Sequence, residues 1–414
     1  MKFFKKKRIL FLLGAILILS SIYLFSIISN YVRDGYDRQS KFVLTLKSII
    51  SPHYVKKIKD NLFVLSNLKS RNEFLELQLR KYEQGFSGEK FKSQIVNIEG
   101  QNYTLDHFFT PFKRLDVNLG WNATTNSLRA HYLEIFKDEI FLISGEGQTI
   151  YFDKQNLKNE KLNFTNLPNN IDEILNLNNL ELIGIRDLFI DNDKILISML
   201  TKNEKGVTID IYKADLNFKK LNFNLFFKSN EYWEKYNVFS GGRIEKFKDE
   251  NILFSIGYSG VPNVAQNLNS LLGKIIKINL RTKDHTIISI GHRNPQGLRY
   301  IGNENIIINS EHGPVGGDEI NFNNLNNENN ELKNYGWDIA SYGTAYDGTD
   351  PYKKSHSNYG FIEPAINYTP SIGISEILYF EKNQHCENKC IWATSLRANS
   401  IYTLNVSKNF EKLI

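Results

Sequence analysis

A polar turn followed by a strand of large apolar residues recurs along the chain. Copies begin at residues 137, 192, 249 and 303, at intervals of 55, 57 and 54 residues, and read KDEIFLIS, NDKILISM, DENILFSI and NENIIINS. A second apolar run follows each copy, and a fifth copy, NKCIWATS, begins at residue 388. A period near 50 residues with several short strands is typical of β-propeller blades. The repeat predicts an all-β propeller with about five blades; a β-sandwich with accidental spacing is the alternative.

The chain begins with a basic cluster and a long apolar stretch. Five positive side chains lie within residues 2–8, and the twenty residues 9–28 include no charged side chain. A helix of that length spans about 30 Å, the thickness of the hydrocarbon core of a bilayer. We expect a retained transmembrane helix that acts as a signal-anchor. A cleaved signal peptide is the alternative, but its apolar stretch normally has about 7–15 residues.

The distribution of charge predicts the topology and excludes one class of partner. The net charge is +6, and the N-terminal cluster accounts for all but one unit of it. Positive residues before the span predict a single-pass protein with a cytoplasmic N-terminus and its folded part on the periplasmic or extracellular side. A folded part with almost no net charge lacks the basic stripe of a nucleic-acid-binding protein. The lipid bilayer is therefore an expected partner, and nucleic acid is not.

Composition divides the chain into three segments. Residues 1–30 form the tail and anchor, residues 31–94 carry little strand signal, and residues 95–414 contain the repeat. In the middle segment, residues between Leu65 and Tyr82 follow the 3-4 spacing of one helix face. This spacing predicts a helical spacer, which is either one amphipathic helix or a short coiled coil.

The two cysteines lie close together near the end of the chain. Cys386 and Cys390 occur in HCENKC, between two apolar runs, where we expect the tip of a hairpin. An oxidising compartment outside the cytoplasm favours a local disulfide, and two free thiols are the alternative.

The order of local motifs identifies a family. GHRNPQGL begins at Gly291, SEHGPVGGDEIN at Ser310 and NYGW at Asn334, and further matches are AQNLNSLLGKIIKIN, GGRI and EPAINYTPSI. Over about residues 110–405 this ordered set resembles the PQQ-dependent glucose/sorbosone dehydrogenase family of soluble glucose and aldose-sugar dehydrogenases. The resemblance implies a propeller of the six-bladed type. Because the chain ends soon after the fifth copy, we expect its last blade to be missing.

The resemblance implies a cofactor site. Arg293, Asn294 and Gln296 match the residues that contact PQQ in the family. A guanidinium forks onto carboxylates and amides bind ring oxygens and nitrogens, which suits a planar tricarboxylate quinone. The alternative is that Arg293 stabilises a blade end and pairs with a nearby carboxylate such as that of Glu311.

The resemblance also implies calcium sites. Gly313 and Pro314 match positions whose backbone carbonyls hold calcium, an ion that prefers oxygen ligands. Asp318 and Glu319 match acidic residues that serve a second, structural calcium in some members. Hydrogen bonds within a turn are the favoured alternative for this acidic pair.

The acid–base residues of the family are replaced. The family's general base is a histidine four residues before the arginine of its GGR or SGR motif, and that position is Phe239 here. The aspartate that orients this base lies in an IGD pattern, which reads SIGYSG here and gives Tyr258. Phenylalanine cannot accept a proton. No catalytic residue can therefore be assigned.

Three functions agree with these observations. Family resemblance implies oxidation of an aldose to its lactone, with PQQ as the oxidant and a respiratory carrier as the electron acceptor. Phe239 and Tyr258 favour a propeller that has lost this chemistry and binds a glycan or a protein. A structural role in an envelope complex is the third alternative.

Overall fold

The computed structural model describes residues 90–98, 101–108, 130–234, 239–326, 331–381, 388–397, 400–407, 410 and 413. These residues belong to one compact unit, residues 81–414. The predicted anchor at residues 9–28 and the helical pattern between Leu65 and Tyr82 lie outside the described residues. Within the described ranges, no helix is both long and apolar enough to cross a membrane.

The described chain is folded mainly into five sheets that follow one another in sequence, so the predicted all-β propeller with five blades is confirmed. Blade 1 consists of β3 (His131–Phe136), β4 (Glu139–Ser144), β5 (Thr149–Asp153) and β6 (Thr165–Asn166). Blade 2 consists of β7 (Glu181–Asp191), β8 (Lys194–Asn203), β9 (Gly206–Asp215) and β10 (Asn224–Lys228). Blade 3 consists of β11 (Gly241–Phe247), β12 (Asn251–Ile256), β13 (Lys274–Asn279) and β14 (His285–Ile290), with the short β18 (Lys333–Asn334) added in parallel. Blade 4 consists of β15 (Pro295–Ile301), β16 (Ile306–Glu311), β17 (Asp318–Asn324) and β19 (Ile366–Tyr368). Blade 5 consists of β20 (Ile374–Phe380), β21 (Cys390–Ser395) and β22 (Ser400–Asn405).

The sequence repeat corresponds to the second strand of each blade. The five copies become β4, β8, β12, β16 and β21, and the apolar run after each copy becomes the third strand. The turn before the second strand contains a residue with positive φ in blades 1 to 4, namely Lys137, Asn192, Asp249 and Asn305. Tight hairpin turns require this backbone region, and Asn and Asp enter it more easily than most residues.

Apolar side chains fill the space between neighbouring blades. One cluster joins blades 1 and 2, a second joins blades 2 and 3, a third joins blades 3 and 4, and a fourth joins blades 4 and 5. Phe254 in β12 is fully buried in the second of these clusters. Burying one such ring contributes about 1.5–3 kcal/mol relative to exposure.

The first strands of the blades contact one another in order, from β3 through β7, β11 and β15 to β20. They carry charged side chains that pair between blades. Arg243 binds Asp187, with Nη1 3.1 Å from Oδ1, and also pairs with Glu376. Arg299 lies 3.0 Å from Glu245 and 3.5 Å from Glu376. These ion pairs connect blades 2, 3, 4 and 5.

The remaining elements lie outside the blades. A hairpin of β1 (Lys90–Ile98) and β2 (Gln101–Phe108) precedes blade 1, and α1 (Ile171–Leu177) follows it. Three short 3-10 helices are Lys154–Lys158, Val264–Gln266 and His356–Tyr359. Cys390 is buried and disulfide-bonded, in agreement with the predicted bond, while Cys386 lies outside the described residues.

Candidate functional site

Loops at the ends of blades 3 and 4 converge on one polar region. The backbone N–H of Tyr258 donates to the carbonyl of Arg293 over 2.9 Å, and the N–H of Gly241 donates to Asn294 Oδ1 over 3.3 Å. The N–H of His312 donates to the carbonyl of Asn294 over 3.3 Å. The motifs GGRI, SIGYSG, GHRNPQGL and SEHGPVGGDEIN are therefore neighbours in space.

Arg293 lies at the centre of this region, enclosed by aromatic rings. Its side chain is 3% exposed. The guanidinium carbon is 4.3 Å from the centroid of Phe239, 5.2 Å from that of Trp337, and 5.9 Å from those of both Tyr258 and Tyr346. At these distances the faces of the rings attract the cation. Four rings from three separate segments of the chain thus hold one guanidinium.

The two positions predicted to have lost the base and its partner face each other. The rings of Phe239 and Tyr258 are stacked, with centroids 5.7 Å apart. Gly257 allows this approach, because a Cβ there would lie 2.1 Å from the carbonyl oxygen of Phe239. Burial raises the pKa of Tyr258 above its ordinary value. Neither side chain can accept a proton at neutral pH.

The two predicted amide contacts are directed toward each other. Gln296 Nε2 donates to Asn294 Oδ1 over 2.9 Å, and the same oxygen accepts the N–H of Gly241. Asn294 is buried and Gln296 is half-buried. Their hydrogen bonds therefore stabilise the turn between blades 3 and 4.

A buried chain of hydrogen bonds holds the backbone of Arg293 in place. Ser289 Oγ is 2.7 Å from His292 Nε2, and His292 Nδ1 is 2.9 Å from Glu311 Oε1. The other oxygen of Glu311 accepts the backbone N–H of Arg293 over 2.7 Å. Ser289 and His292 are each at most 1% exposed, so a substrate cannot reach the serine or the histidine of this serine–histidine–carboxylate arrangement. His292 therefore has a structural role.

Asp318 holds a turn together. Its Oδ1 accepts the N–H of Gly313 over 3.1 Å, and its Oδ2 accepts hydrogen bonds from Ser371 Oγ and from the N–H groups of Gly373 and Ile374. Burial by itself would raise the pKa of Asp318, but the ring of His312, 3.8 Å away, and these hydrogen bonds hold it below its ordinary value. This geometry agrees with the turn-stabilising alternative for Asp318.

The predicted calcium ligands are backbone oxygens beside this turn. No described residue donates a hydrogen bond to the carbonyl oxygen of Gly313 or of Pro314. Within the described ranges, no group of three or more His, Cys, Asp or Glu side chains could hold a metal ion. The carbonyls are thus the available oxygen ligands, and a cation there would need further ligands from solvent or from a bound molecule.

Glu319 is buried opposite a second carboxylate. It pairs in register with Glu311 across β16 and β17, and its Oε1 is 3.6 Å from His356 Nε2. Burial and the charge of Glu311 raise the pKa of Glu319 well above its ordinary value. Both effects favour the neutral form of this carboxyl, which is a weaker cation ligand than a carboxylate.

A small cavity opens in front of these groups. Its lining includes Arg293, Gly313 and Glu319 from the predicted site, together with Tyr335 and Trp337. The cavity has a volume of about 10 Å³, close to the space that one water molecule needs. Ligand pockets typically occupy about 300–1,000 Å³. Asn294, Gln296 and Pro314 are not part of its wall.

The aromatic enclosure includes residues that the sequence did not assign to a site. Trp337 lies in the NYGW motif, which marked the segment without giving this residue a role. Tyr346 and Tyr352 follow in a loop without strand or helix periodicity, and Tyr352 is packed against Trp337 with ring centroids 5.1 Å apart. No local pattern indicates that this loop reaches Arg293.

Comparison with known proteins gives the family. A family profile described as Glucose / Sorbosone dehydrogenase matches residues 180–413. An uncharacterized protein of Synechocystis is 32% identical over 196 residues, which are 41% of this chain and 45% of that protein. Aldose sugar dehydrogenase YliI of Escherichia coli is 30% identical over 159 residues, or 35% of this chain and 41% of that enzyme. The chain thus matches less than half the length of either relative.

Solved structures agree in fold. The crystal structure of the soluble aldose sugar dehydrogenase of Escherichia coli, in its apo form, superimposes with a TM-score of 0.54 at 18% identity, covering 70% of this chain and 86% of that one. A glucose dehydrogenase crystal structure gives a TM-score of 0.56, also at 18% identity, covering 70% and 86%. The family profile covers more than half of the chain. With the order of its motifs and its bladed architecture, this chain belongs to the glucose/sorbosone dehydrogenase family.

Proposed function

We propose that this chain is a sugar-dehydrogenase-type propeller that has lost its oxidation chemistry and binds a glycan at the aromatic end of blades 3 and 4. The observation that carries the proposal is the stacked pair of Phe239 and Tyr258, at the positions that the motifs align with the family's base and its partner. General-base catalysis typically contributes about 10²–10⁴-fold in rate. A site without this pair turns over an aldose poorly, whatever else it binds.

The aromatic residues offer a binding surface for a saccharide. Tyr346 is 68% exposed, and Phe239, Tyr258 and Tyr352 are each half-buried at the same end of the fold. Aromatic rings combine a broad apolar face with, in tyrosine, a polar edge. Such faces stack on the C–H groups of a sugar ring, while the hydroxyls bind its edges. This arrangement suits recognition of a glycan without a chemical step.

Oxidation of an aldose with PQQ is the second candidate, and two observations favour it. The carbonyls of Gly313 and Pro314 accept no hydrogen bond from the described residues, as expected of calcium ligands. Arg293 presents a cation among rings, which suits a planar carboxylate. When bound, PQQ supplies a two-electron oxidant, and a respiratory carrier would accept the electrons.

The described side chains are not arranged to make all of the contacts that the resemblance predicts for PQQ. Asn294 and Gln296 bind each other, and Phe239 lies over the guanidinium of Arg293. A planar tricyclic compound would have to displace that ring to reach the cation. Glycan binding therefore fits the described side chains better than binding of PQQ.

We further propose that residues 9–28 anchor the protein in a membrane, with the propeller on the periplasmic or extracellular side. The charge-free stretch and the preceding basic cluster support this placement. The protein should stay with membranes after an alkaline wash, and a reporter active outside the cytoplasm should work when fused after residue 414. Release as a soluble mature form would contradict the proposal.

The two functions are separated by titrating the full chain with PQQ and calcium while recording absorbance, followed by a dye-linked assay with aldoses. The same preparation is tested against a panel of immobilised glycans. Under the binding function we expect glycan binding with weak or no oxidation. Rapid PQQ-dependent oxidation by the unmodified protein would establish the enzyme instead.

A further inference from the structure

The guanidinium of Arg293 is a buried cation without a carboxylate partner among the described residues. Its Nη1 donates to the carbonyl of His312 over 2.9 Å, and its Nη2 donates to Tyr346 Oη over 3.0 Å. Its Nε is buried and has no hydrogen-bond partner. The nearby Glu311 binds the backbone N–H of Arg293 and the ring of His292 instead. Among the described residues, rings and two neutral oxygens are the groups that contact this positive charge.

Two partly enclosed arginines of this protein are paired with carboxylates. Arg243 pairs with Asp187 and Glu376, and Arg299 pairs with Glu245 and Glu376. Burying an unpaired charge is costly, so proteins usually neutralise it with a partner. The contrast indicates that the partner of Arg293 comes from outside the fold, at a position where this arginine lines the cavity.

The group that now occupies the open side of Arg293 can be replaced. Tyr346 is 68% exposed and belongs to the loop that follows Ser341, a residue of the cavity wall. Its hydroxyl is a neutral acceptor, whereas a carboxylate carries a negative charge and can accept two parallel hydrogen bonds from a guanidinium. A carboxylate presented beside this loop would displace the hydroxyl and fork onto the guanidinium.

We propose that the ligand of this site is an acidic saccharide whose carboxylate binds Arg293 in place of the hydroxyl of Tyr346. The inference rests on the proposed glycan-binding function and adds the charge of the ligand. The sugar ring stacks on the aromatic surface around Phe239 and Tyr258, and the carboxylate supplies the missing negative charge. A neutral saccharide leaves the cation unbalanced and binds more weakly.

The test compares matched acidic and neutral ligands on the full chain. Trimers of galacturonic acid and of galactose are titrated by calorimetry, and PQQ is titrated in a separate arm. We expect the acidic trimer to bind about 10- to 100-fold more tightly than the neutral one, the range of a charge-assisted hydrogen bond. Added salt should weaken binding of the acidic trimer and leave binding of the neutral trimer unchanged.

Variants separate the contribution of the Arg293 guanidinium from that of the Tyr346 hydroxyl. Arg293→Gln should remove the preference for the acidic trimer, provided that its unfolding temperature shows a folded protein. Tyr346→Phe keeps the ring and removes the competing hydroxyl, so it should tighten binding of the acidic trimer by about 2- to 10-fold. Tyr359→Phe, at another exposed tyrosine, is the matched control and should change nothing.

The possible failures are distinct. Equal binding of the two trimers, or weaker binding of the acidic trimer by Tyr346→Phe, would overturn the carboxylate preference and leave glycan binding intact. Binding of neither trimer would overturn both proposals. Binding of PQQ without the acidic trimer would assign the cation to the cofactor and also overturn the inference.

Discussion

The rings of Phe239 and Tyr258 are stacked, with an interplanar angle of 19°. Phe239 lies two residues before β11 and Tyr258 two residues after β12, and these strands pair antiparallel from Gly241 opposite Ile256. The hairpin therefore brings the two positions together whatever side chains they carry. A histidine and an aspartate placed there would also be neighbours.

Restoring the acid–base pair should restore some oxidation. In Phe239→His combined with Tyr258→Asp, the large ring above Arg293 is removed and a base with an orienting carboxylate takes its place. We expect PQQ-dependent, dye-linked aldose oxidation to rise by about 10²–10⁴-fold over the unmodified chain. The control is Phe239→Leu with Tyr258→Phe, which opens the stack without adding a base. Equal activity in the control and the restored variant would contradict the alignment of these positions.

The ion pairs between blades should contribute strongly to stability. Asp187 is 2% exposed and accepts hydrogen bonds from Arg243 and from the N–H of Ile244. Asp187→Ala leaves Arg243 without one partner in a buried place, which typically costs about 3–5 kcal/mol. The urea midpoint of unfolding, followed by circular dichroism, measures this loss. Asp215→Ala, which removes an exposed partner of Lys194, is the control and should leave the midpoint almost unchanged.

Stability should fall as the pH rises above the acidic range. Burial, followed by the charge of Asp187, raises the pKa of Glu134 from 4.5 to about 8, and the pKa of Glu245 also rises, to about 7. The folded state thus keeps protons that the unfolded chain releases, so this contribution to stability is complete below about pH 4.5 and is lost as the pH approaches 8. The charged groups that act on Glu134 are Asp187, Glu245, Arg243 and Arg299.

The variant Glu134→Gln isolates the contribution of this group. It cannot titrate, so its unfolding temperature should decline less between pH 5 and 8.5 than that of the unmodified chain. At pH 8.5 the variant should be the more stable protein, by about 2–4 °C for each kcal/mol regained. Parallel curves for the two proteins would show that Glu134 does not titrate in this interval.

The close approach at Gly257 should be intolerant of a side chain. A Cβ there would lie 2.1 Å from the carbonyl oxygen of Phe239 and 3.0 Å from that of Arg293. Gly257→Ala should therefore lower the free energy of unfolding by about 1–3 kcal/mol and weaken glycan binding. Gly302→Ala is the control, because the nearest atom to its Cβ, in Tyr300, is 3.8 Å away. Unchanged binding and stability in Gly257→Ala would contradict the described packing of the site.

Much of the architecture was predictable because it depends on local patterns. Turn residues such as Asn192 and Asp249 adopt positive φ before the second strand of their blades, and the apolar run that follows each turn needs a sheet on both sides. The pairing of position 239 with position 258 was predictable too, because two motifs of one hairpin lie close together in any propeller of this family. The sequence alone therefore indicates that both side chains are replaced.

The sequence by itself determined the blades, their number within this chain and the order of the motifs, since short-range turn geometry and strand alternation act over a few residues. Only the tertiary structure decided the state of Arg293. Trp337 and Tyr346 reach it from about 50 residues away, and Asn294 and Gln296 turn to each other instead of outward. Side-chain charge balance depends on which segments blade packing brings together, and no local pattern encodes that neighbourhood.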